Sequence, residues 1–170
     1  MTSKISNEII QKASKIKLLL TDCDGVLTDG GVYYSAKGEE MKRFSLRDGM
    51  GVERLRNLIN VETGVITGEN SNIVLRRVEK LGIREYHPGV RDKVSKLNYI
   101  INHNNLAANE IAYIGDDSND LEIMKLVGLS GCPADAMPFI IKIAEVVVDS
   151  NGGYGAFRDF AEIIINAQLK

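Results

Sequence analysis

The sequence predicts an α/β fold in which a parallel sheet is flanked by helices on both faces. Short apolar runs rich in β-branched residues alternate with longer segments of helical periodicity, and no repeat or low-complexity linker interrupts them. At 170 residues, 44% apolar and 26% charged, the chain suits one domain, 1–170, with a substantial core.

Residues 1–15 precede the first strand as an N-terminal extension, weakly helical from Asn7 to Ala13 and without evident chemistry. The first strand is expected near 16–21. The next segment breaks the alternation, because Val32 to Ser35 and Glu40 to Phe44 are extended runs joined by Ala36-Lys37-Gly38, a β-hairpin pattern. In open α/β sheets ligands bind beyond the carboxyl ends of the strands, so this hairpin, residues 30–46, should project over the site as a flap. It is too small to be a cap domain. Further strands are expected near 62–66, 84–87, 111–115, 128–130 and 145–148. Helices are expected near 49–60, 70–82, 91–104, 117–126, 137–143 and 154–168, with apolar residues such as Val74, Val78 and Leu81 at helical spacing.

Composition narrows the function. A net charge of -2 without a long basic block argues against a nucleic-acid surface. No apolar stretch reaches the length of a signal segment or membrane span, which argues against a membrane partner. Cys23 and Cys132, the only cysteines, are too few for a disulfide scaffold, and a reducing cytoplasm is the simplest address.

The chemistry concentrates at strand ends. Leu18-Leu19-Leu20-Thr21 runs straight into Asp22-Cys23-Asp24-Gly25. Two anions at one strand end repel unless a cation or proton separates their roles. Mg²⁺ takes hard oxygen ligands and keeps positions for water and phosphate, so one carboxylate can hold metal and attack phosphorus while its neighbour moves protons. Two solvated aspartates in a turn are the alternative.

Thr67-Gly68 ends the second strand with a hydroxyl close to a helix start, which suits either a phosphate donor or an N-cap. Lys93 opens the helix after the third strand, where a cation opposes the helix dipole unless an anion offsets it; a surface lysine is the alternative. Ile111 to Ile114, then Gly115-Asp116-Asp117-Ser118-Asn119-Asp120, repeats the opening pattern with three acids in five residues. Helix capping accounts for one acid, and three ask for a cation. If this strand neighbours the first, Asp116 completes a metal site with Asp22, and Asp120 holds Lys93 by a salt bridge.

These residues resemble the haloacid dehalogenase superfamily of phosphatases, whose ordered motifs match Asp22-Cys23-Asp24-Gly25-Val26, Thr67-Gly68, Lys93 and Gly115-Asp116-Asp117. The resemblance implies a Rossmann-like fold, Asp22 as nucleophile forming an aspartyl-phosphate, and Asp24 as general acid, then base. It also implies Mg²⁺ on Asp22, the Asp24 carbonyl and Asp116, with Asp117 in support and Thr67 and Lys93 on the phosphate.

Within that superfamily the chain is similar to the capless enzymes that dephosphorylate 3-deoxy-2-keto sugar acids. The matching features are Gly25 to Gly30, Arg47-Asp48-Gly49, the Arg77 helix, Val127-Gly128-Leu129, Pro133 to Ala136 and Gly152 to Arg158. The implied substrate is a phosphorylated sugar acid and the implied assembly a homotetramer. Arg47 and Asp48 resemble the octulosonate 8-phosphate pattern, whereas Glu69 with Lys80 resembles the nonulosonate 9-phosphate one. Arg77 and Lys80 lie three residues apart, where they either meet a sugar carboxylate or form a solvated face. The Gly152-Gly153-Tyr154-Gly155 cluster either cradles an anion or turns the chain. Arg158 and the resemblance favour substrate binding or subunit contact. A noncatalytic oligomerisation module, as in some cytidylyltransferases, is a competing class, and the acid cluster argues against it.

Overall fold

Leu18–Thr21 is buried on every residue, so it must lie inside a sheet covered on both faces. In the computed structural model, which describes residues 5–170, it does. In chain order the elements begin α1 (Asn7–Ala13), β1 (Leu18–Thr21), β2 (Thr28–Ser35), β3 (Gly38–Phe44), α2 (Leu46–Ile59), β4 (Glu62–Ile66), α3 (Asn72–Leu81) and β5 (Glu85–His87). They continue with α4 (Lys93–Asn104), β6 (Ile111–Ile114), α5 (Leu121–Met124), β7 (Leu129–Cys132), α6 (Pro138–Ile141), β8 (Val146–Val147) and α7 (Ala156–Gln168). Residues 1–4 of the N-terminal extension lie outside the described residues.

Six strands form one sheet in the order β5-β4-β1-β6-β7-β8, and every pairing in it is parallel. β1 therefore sits between β4 and β6. One face packs Leu19, Val65, Ile114, Val52, Leu55, Phe157, Phe160 and Ile164 into a core beneath α2 and α7. The other packs Leu20, Ile66, Tyr113, Leu97 and Ile100 beneath α4. β2 and β3 form a separate antiparallel hairpin, the flap.

Several boundaries differ from the sequence expectation for local reasons. α2 starts at Leu46 rather than 49, because the Ser45 hydroxyl accepts from the Arg47 N–H at 3.1 Å and caps it. Gly51, which reads as a weak helix residue, lets α2 approach α7: a Cβ there would lie 3.2 Å from the Arg158 Cα. The helix expected over 117–126 is a 3₁₀ turn, Ser118–Asp120, followed by the single turn of α5. The Asp120 carboxylate reaches back to the N–H groups of Asp116 and Asp117 and tightens that entry. α6 is shorter than expected, with Pro138 at its start. Among the described residues no helix is long and apolar enough to cross a membrane.

Candidate active site

The order β4-β1-β6 brings the carboxyl ends of three strands side by side. Thr21 of β1 registers with Val65 of β4 and Ile114 of β6, and the Asp22 N–H donates to the Ile114 carbonyl at 3.0 Å. Asp22 and Thr67 follow their strands directly, and Asp116 follows β6 after Gly115. A cavity of about 200 Å³ opens above them, lined by Asp22, Asp24, Thr67, Gly68, Glu69, Asp116, Asp117 and Asn119. Two larger hollows, about 290 and 320 Å³, lie at the β8–α7 edge and at the opposite end of the sheet, where among the described residues no three carboxylates converge to metal-ligand distance.

Lys93, the first residue of α4, is only 2% exposed. Its Nζ donates to Asp22 Oδ1 at 2.8 Å, to Asp120 Oδ1 at 2.6 Å and to the Tyr113 hydroxyl at 2.9 Å. Burial pulls the lysine pKa down, but the charges of Asp22 and Asp120 outweigh it and hold the ammonium above its usual range. Those two anions also offset the unfavourable dipole at the start of α4. Tyr113 donates to Asp120 Oδ1 at 2.5 Å, and Asp120 Oδ2 accepts from the Asp116 and Asp117 N–H groups at 2.9 and 3.3 Å. Both Asp120 oxygens are thereby occupied.

Asp22, Asp116 and Asp120 each place a carboxylate oxygen within 4.8 Å of the others. Burial first, then the Asp120 charge, pushes the Asp22 carboxyl up to about 6 against the pull of Lys93. Burial and the charges of Asp22, Asp120 and Asp117 push Asp116 up to about 8. Asp116 Oδ1 is buried without a hydrogen-bond partner among the described residues. An orphaned, crowded carboxylate oxygen beside a second carboxylate fits a hard divalent cation. Asp120, saturated by its own hydrogen bonds, fits the role of support better than that of ligand.

Glycines make this crowding possible. Gly25 holds φ +91°, and a Cβ there would stand 2.1 Å from Asp116 Oδ2. A Cβ on Gly115 would stand 2.4 Å from the Asp120 Cγ.

The flap supplies a group that the sequence pattern conceals. Lys42 on β3 donates to Asp24 Oδ1 at 2.8 Å, and Asp24 Oδ2 is buried without a partner among the described residues. Sequence reasoning missed Lys42 because the hairpin inverts the usual rule: Met41 points to solvent and Lys42 inward. It also missed Tyr113 and Asn119. A hydroxyl within the apolar run Ile111–Ile114 and a second polar group in the Gly115–Asp120 loop were the available signals.

Thr67 is buried, but it is not a helix cap: its hydroxyl accepts from the Glu69 N–H at 3.1 Å, and α3 starts five residues later with Ser71 as N-cap. Gly68 and Glu69 line the cavity. Arg47, Asp48, Arg77, Lys80 and Arg158 are not among the residues that line it. Asp48 is buried between α2 and α7, where it accepts the Arg158 N–H at 3.0 Å; burial raises it to about 6. Arg77 donates to the Ser45 carbonyl at 2.9 Å, and Arg158 pairs with Glu162 at 2.7 Å. Lys80 is exposed in the last turn of α3, and Arg47 is exposed beside Gly155. The Gly152–Gly155 loop packs closely against the loop that follows β1. A Cβ on Gly152 would lie 1.8 Å from the Gly25 carbonyl, and the Gly153 N–H donates to the Val26 carbonyl at 2.8 Å. It buttresses the loop that carries Asp24.

Residues 76–157 match the haloacid dehalogenase-like hydrolase family. The chain is 38% identical over 160 residues to the 3-deoxy-D-manno-octulosonate 8-phosphate phosphatase of Haemophilus influenzae, covering 94% of this chain and 88% of that protein. Its fold superposes on the crystal structure of the same-named phosphatase from Yersinia pestis with a TM-score of 0.92, at 36% identity over 96% of this chain and 88% of that one. The Moraxella catarrhalis phosphatase, solved with magnesium, phosphate and a KDO molecule, also gives a TM-score of 0.92, at 34% identity over 96% and 93% of the two chains.

Proposed function

The chain belongs to the haloacid dehalogenase-like hydrolases, and on that premise we propose that it is a Mg²⁺-dependent phosphatase of 3-deoxy-D-manno-octulosonate 8-phosphate. The observation that carries the reading is Asp22: a carboxylate at a cavity floor, held at 2.8 Å by buried Lys93, beside the unpartnered oxygens of Asp116 and Asp24. The Moraxella structure, with its magnesium, phosphate and KDO, supports both the ion and the substrate class.

Asp22 and Asp116 would hold the ion, together with the Asp24 carbonyl. When bound, Mg²⁺ neutralises charge on the phosphate oxygens and keeps both carboxylates ionised. Asp22 then attacks phosphorus in line, forming an O–P bond as the bond to the leaving alcohol breaks. Asp24 gives the alcohol its proton, later takes one from the water that hydrolyses the aspartyl-phosphate, and so returns to its starting state. Lys93 and Thr67 hold equatorial phosphate oxygens, Lys93 being oriented by Asp120 and Tyr113. Asp117 supports the ion through water, and Gly68 and Glu69 shape the cavity wall.

Glu69 in that wall favours a second reading, hydrolysis of a nonulosonate 9-phosphate of the sialic acid type. Arg47, Arg77, Lys80 and Arg158 lie outside the cavity lining and suit contact with substrate bound to a neighbouring subunit of a homotetramer. Exposed Tyr33, Tyr34 and Met41 on the flap support that assembly. We read residues 1–170 as one domain and, from two unpaired buried cysteines, its address as the cytoplasm.

Phosphate release with Mg²⁺ from the octulosonate 8-phosphate, a nonulosonate 9-phosphate and hexose phosphates tests the reading. The octulosonate ester should give the highest kcat/KM. A higher value for the nonulosonate ester would favour the second reading, and no turnover of either sugar acid would overturn both.

A further inference from the structure

Lysine is almost never fully buried unless paired, and the side chain of Lys42 is 1% exposed. It sits on the flap, yet its Nζ contacts the loop that follows β1. It donates to Asp24 Oδ1 at 2.8 Å and lies 3.6 Å from Glu39 Oε2 on the same strand. Glu39 in turn accepts from the Ser71 hydroxyl at the head of α3. The Thr28 hydroxyl donates to Asp24 Oδ1 as well, at 3.3 Å. The two oxygens of Asp24 are thus inequivalent: Oδ1 receives two donors, while Oδ2 is buried without a partner among the described residues.

We propose that Lys42 is the positioning residue of Asp24, occupying Oδ1 so that the transferable proton is carried on Oδ2. An oxygen that already accepts from an ammonium is the poorer site for a proton, so the acid form of Asp24 places its hydrogen on Oδ2. When the phosphoester bond breaks, the Oδ2–H bond breaks with it and the alcohol gains that hydrogen. In hydrolysis of the aspartyl-phosphate, water's O–H bond breaks and Oδ2–H re-forms. Because Lys42 belongs to β3, the proton-transfer group is complete only when the flap is seated. Capless enzymes have no second domain to close the site, and here one flap residue does part of that work.

This inference rests on the reading of Asp24 as proton carrier, and the test separates the two. Wild type, Lys42→Met and Lys42→Arg, each with Mg²⁺, are compared in single-turnover release of the leaving group. One substrate is the octulosonate 8-phosphate, whose alcohol leaves only with a proton. The other is p-nitrophenyl phosphate, whose phenolate leaves without one.

Lys42→Met should slow release of the sugar alcohol by about 10²-fold, the low end of general acid catalysis, with KM within about threefold of wild type. Release of p-nitrophenolate should fall by less than about tenfold, and Lys42→Arg, which keeps a donor, should recover most of the loss on the sugar. Equal losses on both substrates, or wild-type rates in Lys42→Met, would overturn the role of Lys42 alone. Wild type that releases neither leaving group would overturn the phosphatase reading itself. If Lys42→Met does not fold, Lys42→Leu, which also lacks a donor, carries the same comparison.

Discussion

Gly25→Ala probes the close approach of the backbone to Asp116. The added Cβ would stand 2.1 Å from Asp116 Oδ2, against ordinary contact from 3.4 Å, so the carboxylate or the loop must yield by about 1.3 Å. Displacements of about 1 Å in a reacting constellation reduce rates by about 10²-fold. The backbone adds its own penalty, since φ +91° places an L-residue in a left-handed region that costs about 1–2 kcal/mol. For a chain of this size that is a Tm drop of about 2–8 °C. Gly38→Ala separates the two effects. Gly38 has φ +110° with nothing within 4 Å of its notional Cβ, so the substitution should lower Tm while leaving catalysis intact. Calorimetric Mg²⁺ titration, thermal melting and steady-state phosphate release should therefore show Gly25→Ala losing metal affinity and about 10² in kcat/KM, and Gly38→Ala losing stability alone. Wild-type Mg²⁺ affinity and turnover in Gly25→Ala would refute the crowding of Asp116 as the basis of the metal site.

Two further expectations follow from the same geometry. Asp22 at about 6 and Asp116 at about 8 hold protons in the folded protein that the unfolded chain has already released, so metal-free stability from these groups is lost as pH rises from the ordinary carboxylate range through about 8. Because Mg²⁺ competes with those protons, its stabilisation in urea melts should be larger at pH 8 than at pH 5, and an equal increment would contradict the assignment. Replacing exposed Tyr33 and Tyr34 with glutamate should dissociate the proposed homotetramer in light scattering without unfolding the subunit, and an unchanged mass would exclude the flap as the contact.

The sheet was legible because its signals are local. Leu18 to Thr21 and Ile111 to Ile114 are apolar runs that end in acids, and right-handed parallel crossovers leave few ways to arrange them. Asp22, Thr67, Lys93 and Asp116 were legible for the same reason, each standing at a strand end or helix start. What stayed hidden depends on contacts distant in sequence. Lys42 reads as a solvated residue until the flap folds over Asp24, 18 residues earlier. Asp48 and Arg158 look like binding groups, yet 110 residues apart they meet at the α2–α7 contact, where the carboxylate caps the N-terminus of α7. The Gly152–Gly155 run reads as a turn or an anion cradle, and only the packing of Gly152, where a Cβ would stand 1.8 Å from the Gly25 carbonyl, reveals a buttress.

Covalent phosphorylation of Asp22 is the step on which the proposed mechanism turns. Acid quenching of the Mg²⁺-loaded enzyme during turnover of phosphate-labelled octulosonate 8-phosphate, followed by peptide mass spectrometry, tests it directly. Label is expected on the peptide carrying Asp22, with greater accumulation in Asp24→Asn because the water lacks its base, and none in Asp22→Asn. Label on any other residue, or full turnover by Asp22→Asn, would contradict it.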